Sequence, residues 1–211
     1  MTHRSDRPLL ILHAVRLLGF ADSAAVADRA GAGPDETVRL LHDAERAGLV
    51  QHVAFADLDG WSLTDAGKAS NERHLAAERA AADPGGTVAA AYRDFRPLNA
   101  RLLRAVTDWQ IRPTDDDPLA PNAHTDRDWD ARVLDELTAL GAALVPLNQR
   151  LAAVLARFDG YAPRFEYALG QARRGHTGWV DRTDVDSCHR VWFQLHEDLV
   201  ATLGIDRGTE V

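Results

Sequence analysis

Five residues near the C-terminal end have side chains that could hold a metal or attack a substrate: Cys188, His189, His196, Glu197 and Asp198. A structural zinc site needs about four donors converging on one point. On a helix, His189 and His196 lie two turns apart, about 10 Å along the axis, too far for one ion without a third segment. His124 or His176 would have to complete the set, and no spacing points to either. Cys188 and His189, as helical neighbours, project in different directions and do not form a nucleophile–base pair. The acidic triplet Asp115–Asp117 sits among prolines in PTDDDPLAPNAHTDR, a solvated loop rather than a cation site. There is no H-E-x-x-H, no cysteine pair and no Gly-rich phosphate loop. No catalytic residue, metal or cofactor is expected, and the chain reads as a non-enzyme.

A second set of polar residues offers recognition rather than catalysis. On a helix over 34–47, Asp35, Arg39, His42 and Arg46 fall on one outward face, with Val38, Leu41 and Ala44 inward beside Leu40. Thr37 and Arg39, near the start of that helix, could donate to base edges, and a guanidinium can read guanine O6 and N7 together. His42 and Arg46 extend the face. Arg73, with His74 and Arg79 on a later helix, could reach backbone phosphates.

The surrounding elements fit that use. Pro8 suits the first turn of a helix that ends near Gly19. Asp22 or Ser23 caps a second helix, Ala24 to Ala30. Gly31-Ala32-Gly33 turns the chain, and Pro34 opens the third helix, which runs into Ala47-Gly48-Leu49-Val50. A strand from Gln51 to Phe55, the turn Asp57-Leu58-Asp59-Gly60 and a strand Trp61-Ser62-Leu63 make a hairpin, with Trp61 packing at its base. Thr64-Asp65-Ala66-Gly67 starts the next helix, which reads on to about Ala82. Helix, hairpin, helix in this order, after a helix–turn–helix, is the grammar of a winged helix.

The stretch from about residue 8 to 80 resembles the MarR-like winged-helix regulators, in which "GLV", a wing and "LTxxG" recur, as Gly48-Leu49-Val50 and Leu63-Thr64-Asp65-Ala66-Gly67 do here. The resemblance implies helix 34–47 in the recognition position, duplex DNA as partner and a homodimer.

Charge tempers this. Residues 1–80 carry nine basic against twelve acidic side chains, and the chain is −8 overall. Phosphate neutralisation supplies most non-specific DNA affinity, so little is available here. The wing tip holds Asp57 and Asp59 and no cation, where minor-groove wings use basic tips. A winged helix that serves as a protein-interaction module of an accessory or regulatory subunit, without binding DNA, is the rival reading.

Asp83-Pro84-Gly85-Gly86 breaks the chain, giving a winged-helix domain over 1–83 and an all-helical domain over 84–211 for dimerisation and effector sensing. Helical spacing runs from Val88 to Trp109, with Pro97 as a kink. It is strongest over 129–158, where Val133, Leu137, Leu140, Leu144, Leu147, Leu151, Val154 and Phe158 form a seam with Pro146 inside it. A stripe that long asks for a long partner, within the chain or across a dimer. A short helix follows over about 162–173, and a last one from about Asp181 to Leu203 with Gly204 at its end. Trp109, Phe165 and Trp192 are candidates to line an aromatic cleft for a small apolar effector. No apolar run approaches a membrane span, no signal-peptide core opens the chain, and the lone Cys188 cannot form an intrachain disulfide, so a cytoplasmic protein is expected. Mainly α, with a two-stranded wing, is the expected fold class.

Overall fold

The structure, a computed structural model, describes residues 2–55 and 58–205. It is mainly helical, with one two-stranded antiparallel sheet. The chain forms two compact units. The first holds residues up to Gly85, Val154–Arg157 and the chain from Glu197 onward; the second holds Gly86–Ala153 and Phe158–His196.

In the first unit, α1 (Arg7–Leu18) is followed by α2 (Ser23–Ala30), α3 (Pro34–Arg46), β1 (Val50–Phe55), β2 (Leu58–Leu63) and α4 (Asp65–Ala82). Local signals place each boundary. The Asp22 carboxylate accepts from the Ala25 amide at 2.7 Å and caps α2, and Gly31 ends it in the left-handed region at φ 58°. The Thr64 hydroxyl accepts from the Gly67 amide at 3.0 Å and caps α4. Gly67 is required for another reason: a Cβ there would stand 1.8 Å from the Leu49 carbonyl oxygen. The core comprises Ile11, Leu12, Val15, Val26, Leu41, Val50 and Trp61.

One inward assignment and the hairpin bounds are corrected. Thr37, not Val38, is the buried residue one turn before Leu41, and Val38 is exposed. The hairpin is also longer than expected, because Leu58, Asp59 and Gly60 belong to β2 rather than to a turn. Its register pairs Val50 with Leu63, His52 with Trp61 and Phe55 with Leu58. Asp57, expected at the wing tip, and the tail 206–211 lie outside the described residues. Ala21 adds a single antiparallel bridge to Trp61, through two backbone hydrogen bonds of 3.2 and 2.8 Å.

The second unit comprises α5 (Thr87–Gln110), α6 (Arg127–Val154, its last residue counted with the first unit), α7 (Tyr161–Arg173) and the first part of α8 (Cys188–Leu203). Pro97 and Pro146 lie inside α5 and α6. Helix α6 stops at Val154 rather than 158, and Ala156–Phe158 is a separate 3-10 turn. Helix α8 begins at Cys188 rather than Asp181. The preceding residues form turns in which the Ser187 hydroxyl donates to the Arg182 carbonyl and accepts from the Arg190 amide.

The 129–158 seam is hidden within one chain: Leu137, Leu140, Leu144 and Leu151 are fully buried. The seam therefore does not require a second copy to cover it. Buried Asn148 fixes the turn after α6, accepting from the Ala162 amide at 2.8 Å and donating to the Phe158 carbonyl. Among the described residues, α6 is the one helix long and apolar enough to cross a membrane by length and composition. Its apolar stripe is buried within the chain at Leu137, Leu140, Leu144 and Leu151.

Candidate nucleic-acid interface

Helix α3 presents Asp35, Val38, Arg39, His42, Glu45 and Arg46 to solvent. Two of the five DNA-contact candidates are occupied otherwise. Thr37 is fully buried, and its hydroxyl donates to the Gly33 carbonyl at 2.9 Å, closing the first turn of the helix. It cannot reach a base edge. His42 is exposed, but its ring packs edge-on against Trp61 with centroids 5.3 Å apart and lies 3.3 Å from a Glu45 oxygen. Trp61 is itself fixed, stacked on His52 at 4.4 Å and donating to the Ser23 hydroxyl at 3.0 Å.

Arg39 and Arg46 remain exposed, but both pair with Asp43. The Arg39 guanidinium lies 3.5 Å from one carboxylate oxygen, and Arg46 donates to the other. Exposed pairs of this kind contribute little stability, yet the shared carboxylate holds both cations and offsets one of their two charges. Glu36 pairs with Arg7 at 3.9 Å. Arg73 is exposed on α4 and in no ion pair among the described residues. Of the original five, Arg39, Arg46 and Arg73 are placed where a phosphate or base could meet them.

The hairpin carries a feature that residue counting overlooked. Val53, Phe55 and Leu58 share the sheet face opposite Trp61, and Phe55 and Leu58 are 77% and 57% exposed. Phe20, also exposed, continues this face by lying over Gly60, where a Cβ would stand 2.7 Å from its ring. Alternation along Gln51–Phe55 contains the signal: Val53 and Phe55 fall opposite His52, the residue that stacks on Trp61. The described part of the tip is apolar with one acid, Asp59, whose carboxylate lies 2.7 Å from His52 Nε2.

A buried charge cluster forms the other polar centre of the first unit. Arg157 donates to Glu78 at 3.0 Å, to Asp198, and to the Thr202 hydroxyl at 2.7 Å, with its side chain and both carboxylates almost fully buried. His13 Nε2 lies 3.0 Å from Asp198 and Nδ1 faces Asn71 at 3.3 Å. Burial raises the Asp198 carboxyl, but attraction to Arg157, with the His13 N–H hydrogen bond, outweighs it and holds the group well below the usual carboxylate range. Burial lowers the His13 imidazole against the opposing pull of Asp198, which favours the neutral ring. A neutral ring has one N–H, which Asp198 takes. The Asn71 oxygen faces Nδ1 at 3.3 Å while the Asn71 nitrogen lacks a partner among the described residues; exchanging the two amide atoms would let the nitrogen donate to a neutral ring. Asp198, grouped in the sequence with Cys188 and the histidines, thus serves an ion pair. Cys188 is buried, its thiol pushed up to about 12 by burial, and is inert. Among the described residues no group of three or more His, Cys, Asp or Glu is arranged to hold a metal ion.

The aromatic effector cleft is corrected. Trp109, Phe165 and Trp192 are 3%, 0% and 1% exposed. Trp192 stacks on Phe95 at 5.1 Å, meets Phe165 at 5.7 Å and donates to Asn99 at 3.0 Å. Trp109 meets His124 at 4.5 Å. They are buried in the core of the second unit.

In comparisons with known proteins, no family model, curated protein or solved structure matches the chain.

Proposed function

We propose that the first unit is a winged helix and that the chain is a cytoplasmic bacterial transcriptional regulator of the MarR-like kind, binding duplex DNA as a homodimer. The observation that carries the reading is the placement of α3. It follows α2 through a three-residue turn, keeps Thr37 and Leu41 in the core, turns Arg39 and Arg46 to solvent, and leads directly into the β1–β2 hairpin. That order and burial support a recognition helix with a wing beside it. Arg39 reads bases, while Arg46 and Arg73 contact phosphates. Pull-down of the tagged protein with sheared DNA of its source organism tests this. Enrichment of discrete intergenic fragments supports the reading, and recovery of none overturns it.

The rival, a winged helix that docks a protein, has its own supporting observations. Asp43 pairs with both outward arginines of α3 and offsets one of their two charges, and the hairpin exposes Phe55 and Leu58 where a basic tip would serve DNA. If Phe55→Ser with Leu58→Ser abolishes capture of a protein partner while DNA recovery stays nil, the rival stands.

A further inference from the structure

The first unit contains a cavity of about 570 Å³ between α1, the C-terminal half of α3 and α4. Its volume falls in the range of small-molecule sites. Leu9, Leu12, Leu40 and Ala44 supply an apolar wall. The charged residues lining it are Asp6, Asp43 and Glu78, all acidic, and its other ionisable groups are His3 and His74. No lysine or arginine is among the described residues of the lining.

Glu78 lines this cavity. Its side chain is 4% exposed, and its Oε2 takes the hydrogen bond from Arg157. Its Oε1 is shut off from solvent and accepts no hydrogen bond. His3 Nε2 lies 3.4 Å from Oε1, on a side chain 42% exposed. A buried carboxylate oxygen without a donor is costly, and a ligand N–H that displaced the His3 ring would satisfy it.

We propose that this cavity binds a small organic cation: a primary ammonium head on Glu78 Oε1, with an alkyl or aryl body along Leu9, Leu12, Leu40 and Ala44. An anionic ligand of the same shape is disfavoured because it would place its head against the Glu78 carboxylate, and a neutral alcohol because its hydrogen bond to Oε1 would lack the charge assistance of an ammonium. Asp43 lines the same cavity and holds Arg39 and Arg46, so an occupant reaches the residue that controls the outward face of α3. The site does not depend on DNA being the partner of that face.

The test uses the full chain without nucleic acid, titrated with octylamine, octanol and octanoate and followed by calorimetry and thermal melting. Octylamine is expected to bind at least about tenfold more tightly than either analogue, the discrimination of one charge-assisted hydrogen bond. Ala77→Trp, at an exposed lining position of α4, fills the cavity without touching the ion pairs and should abolish octylamine binding while leaving the melting temperature of the free protein unchanged. Glu78→Gln should remove the preference for amine over alcohol; Asp43→Asn serves as a second variant should Glu78→Gln not fold, and should weaken the amine by less than Ala77→Trp does. Equal affinity for all three probes, binding that survives Ala77→Trp, or no octylamine binding at millimolar concentration would each overturn the assignment.

Discussion

His13 Nε2 and Asp198 Oδ1 lie 3.0 Å apart with both side chains buried, although 185 residues of chain separate them. The contact joins α1 to the last part of α8 within the first unit, and Arg157 shares the same carboxylate. Removing Asp198 would leave Arg157 charged and underpaired in a dry site. Asp198→Ala is therefore expected to cost about 3–5 kcal/mol in urea unfolding followed by circular dichroism. A chain truncated at residue 85 should fail to fold alone, since Glu78 loses Arg157 and His13 loses Asp198. A cooperative melt from the 1–85 fragment would contradict this account.

Acid should destabilise the protein in two stages. His13 is lowered in the folded state, so below the ordinary imidazole value of about 6.5 the unfolded chain takes a proton that the folded chain does not, and stability falls with pH. His189, lowered by burial against Asp181, adds in the same direction. Asp198, held low, contributes stability that is present above the usual carboxylate range and lost as pH drops through and beneath it. His13→Gln should flatten the dependence between pH 7 and 5.5, by at most about 1.4 kcal/mol per pH unit. An unchanged slope would show that His13 is not held neutral.

Releasing the arginines of α3 should strengthen DNA binding. Asp43→Asn frees Arg39 and Arg46 together, and is expected to tighten binding to random duplex and steepen its salt dependence. Arg39→Ala should cost about 1–3 kcal/mol on a specific site and little on random DNA. Anisotropy titrations at several salt concentrations read both. Loss of affinity in Asp43→Asn would mean that the acid, rather than the arginines, meets the partner.

Gly67→Ala should destabilise the first unit by about 3 kcal/mol, the upper end for overpacking. The clash is with backbone, the Leu49 carbonyl at 1.8 Å, so no side-chain rotation relieves it. A melting temperature within a degree of the parent would rule the contact out.

Leu144→Glu separates a core from a dimer seam. Leu144 is fully buried within a single chain, so the charge should unfold the second unit at a cost of about 4 kcal/mol or more at any protein concentration. A folded monomer by light scattering and circular dichroism would instead mark the position as a surface between copies.

The local elements of the first unit were legible in the sequence because their signals are local. Asp22 and Thr64 cap the helices they precede, Gly31 ends α2, and Pro34 opens α3. Each works through hydrogen bonds or φ angles within a few residues, so a short window contains the cause and the effect. The seam of α6 was legible for the same reason, since a repeat on one helix is a property of that helix. What it packs against was not: periodicity specifies that a stripe is buried and leaves open whether its own chain covers it.

Tertiary structure alone decided the polar residues. Thr37 and Val38 are adjacent and similar in size, and only the rotation of α3 on its core put the hydroxyl inside and the isopropyl group outside. Trp109, Phe165 and Trp192 could line a cleft or fill a core by type, and packing settled on the core. Asp198 looked like a possible metal ligand beside His196 and Glu197. Its partners, His13 and Arg157, lie 185 and 41 residues away in sequence, and a buried charge is assigned its role by what the fold brings within about 3 Å of it.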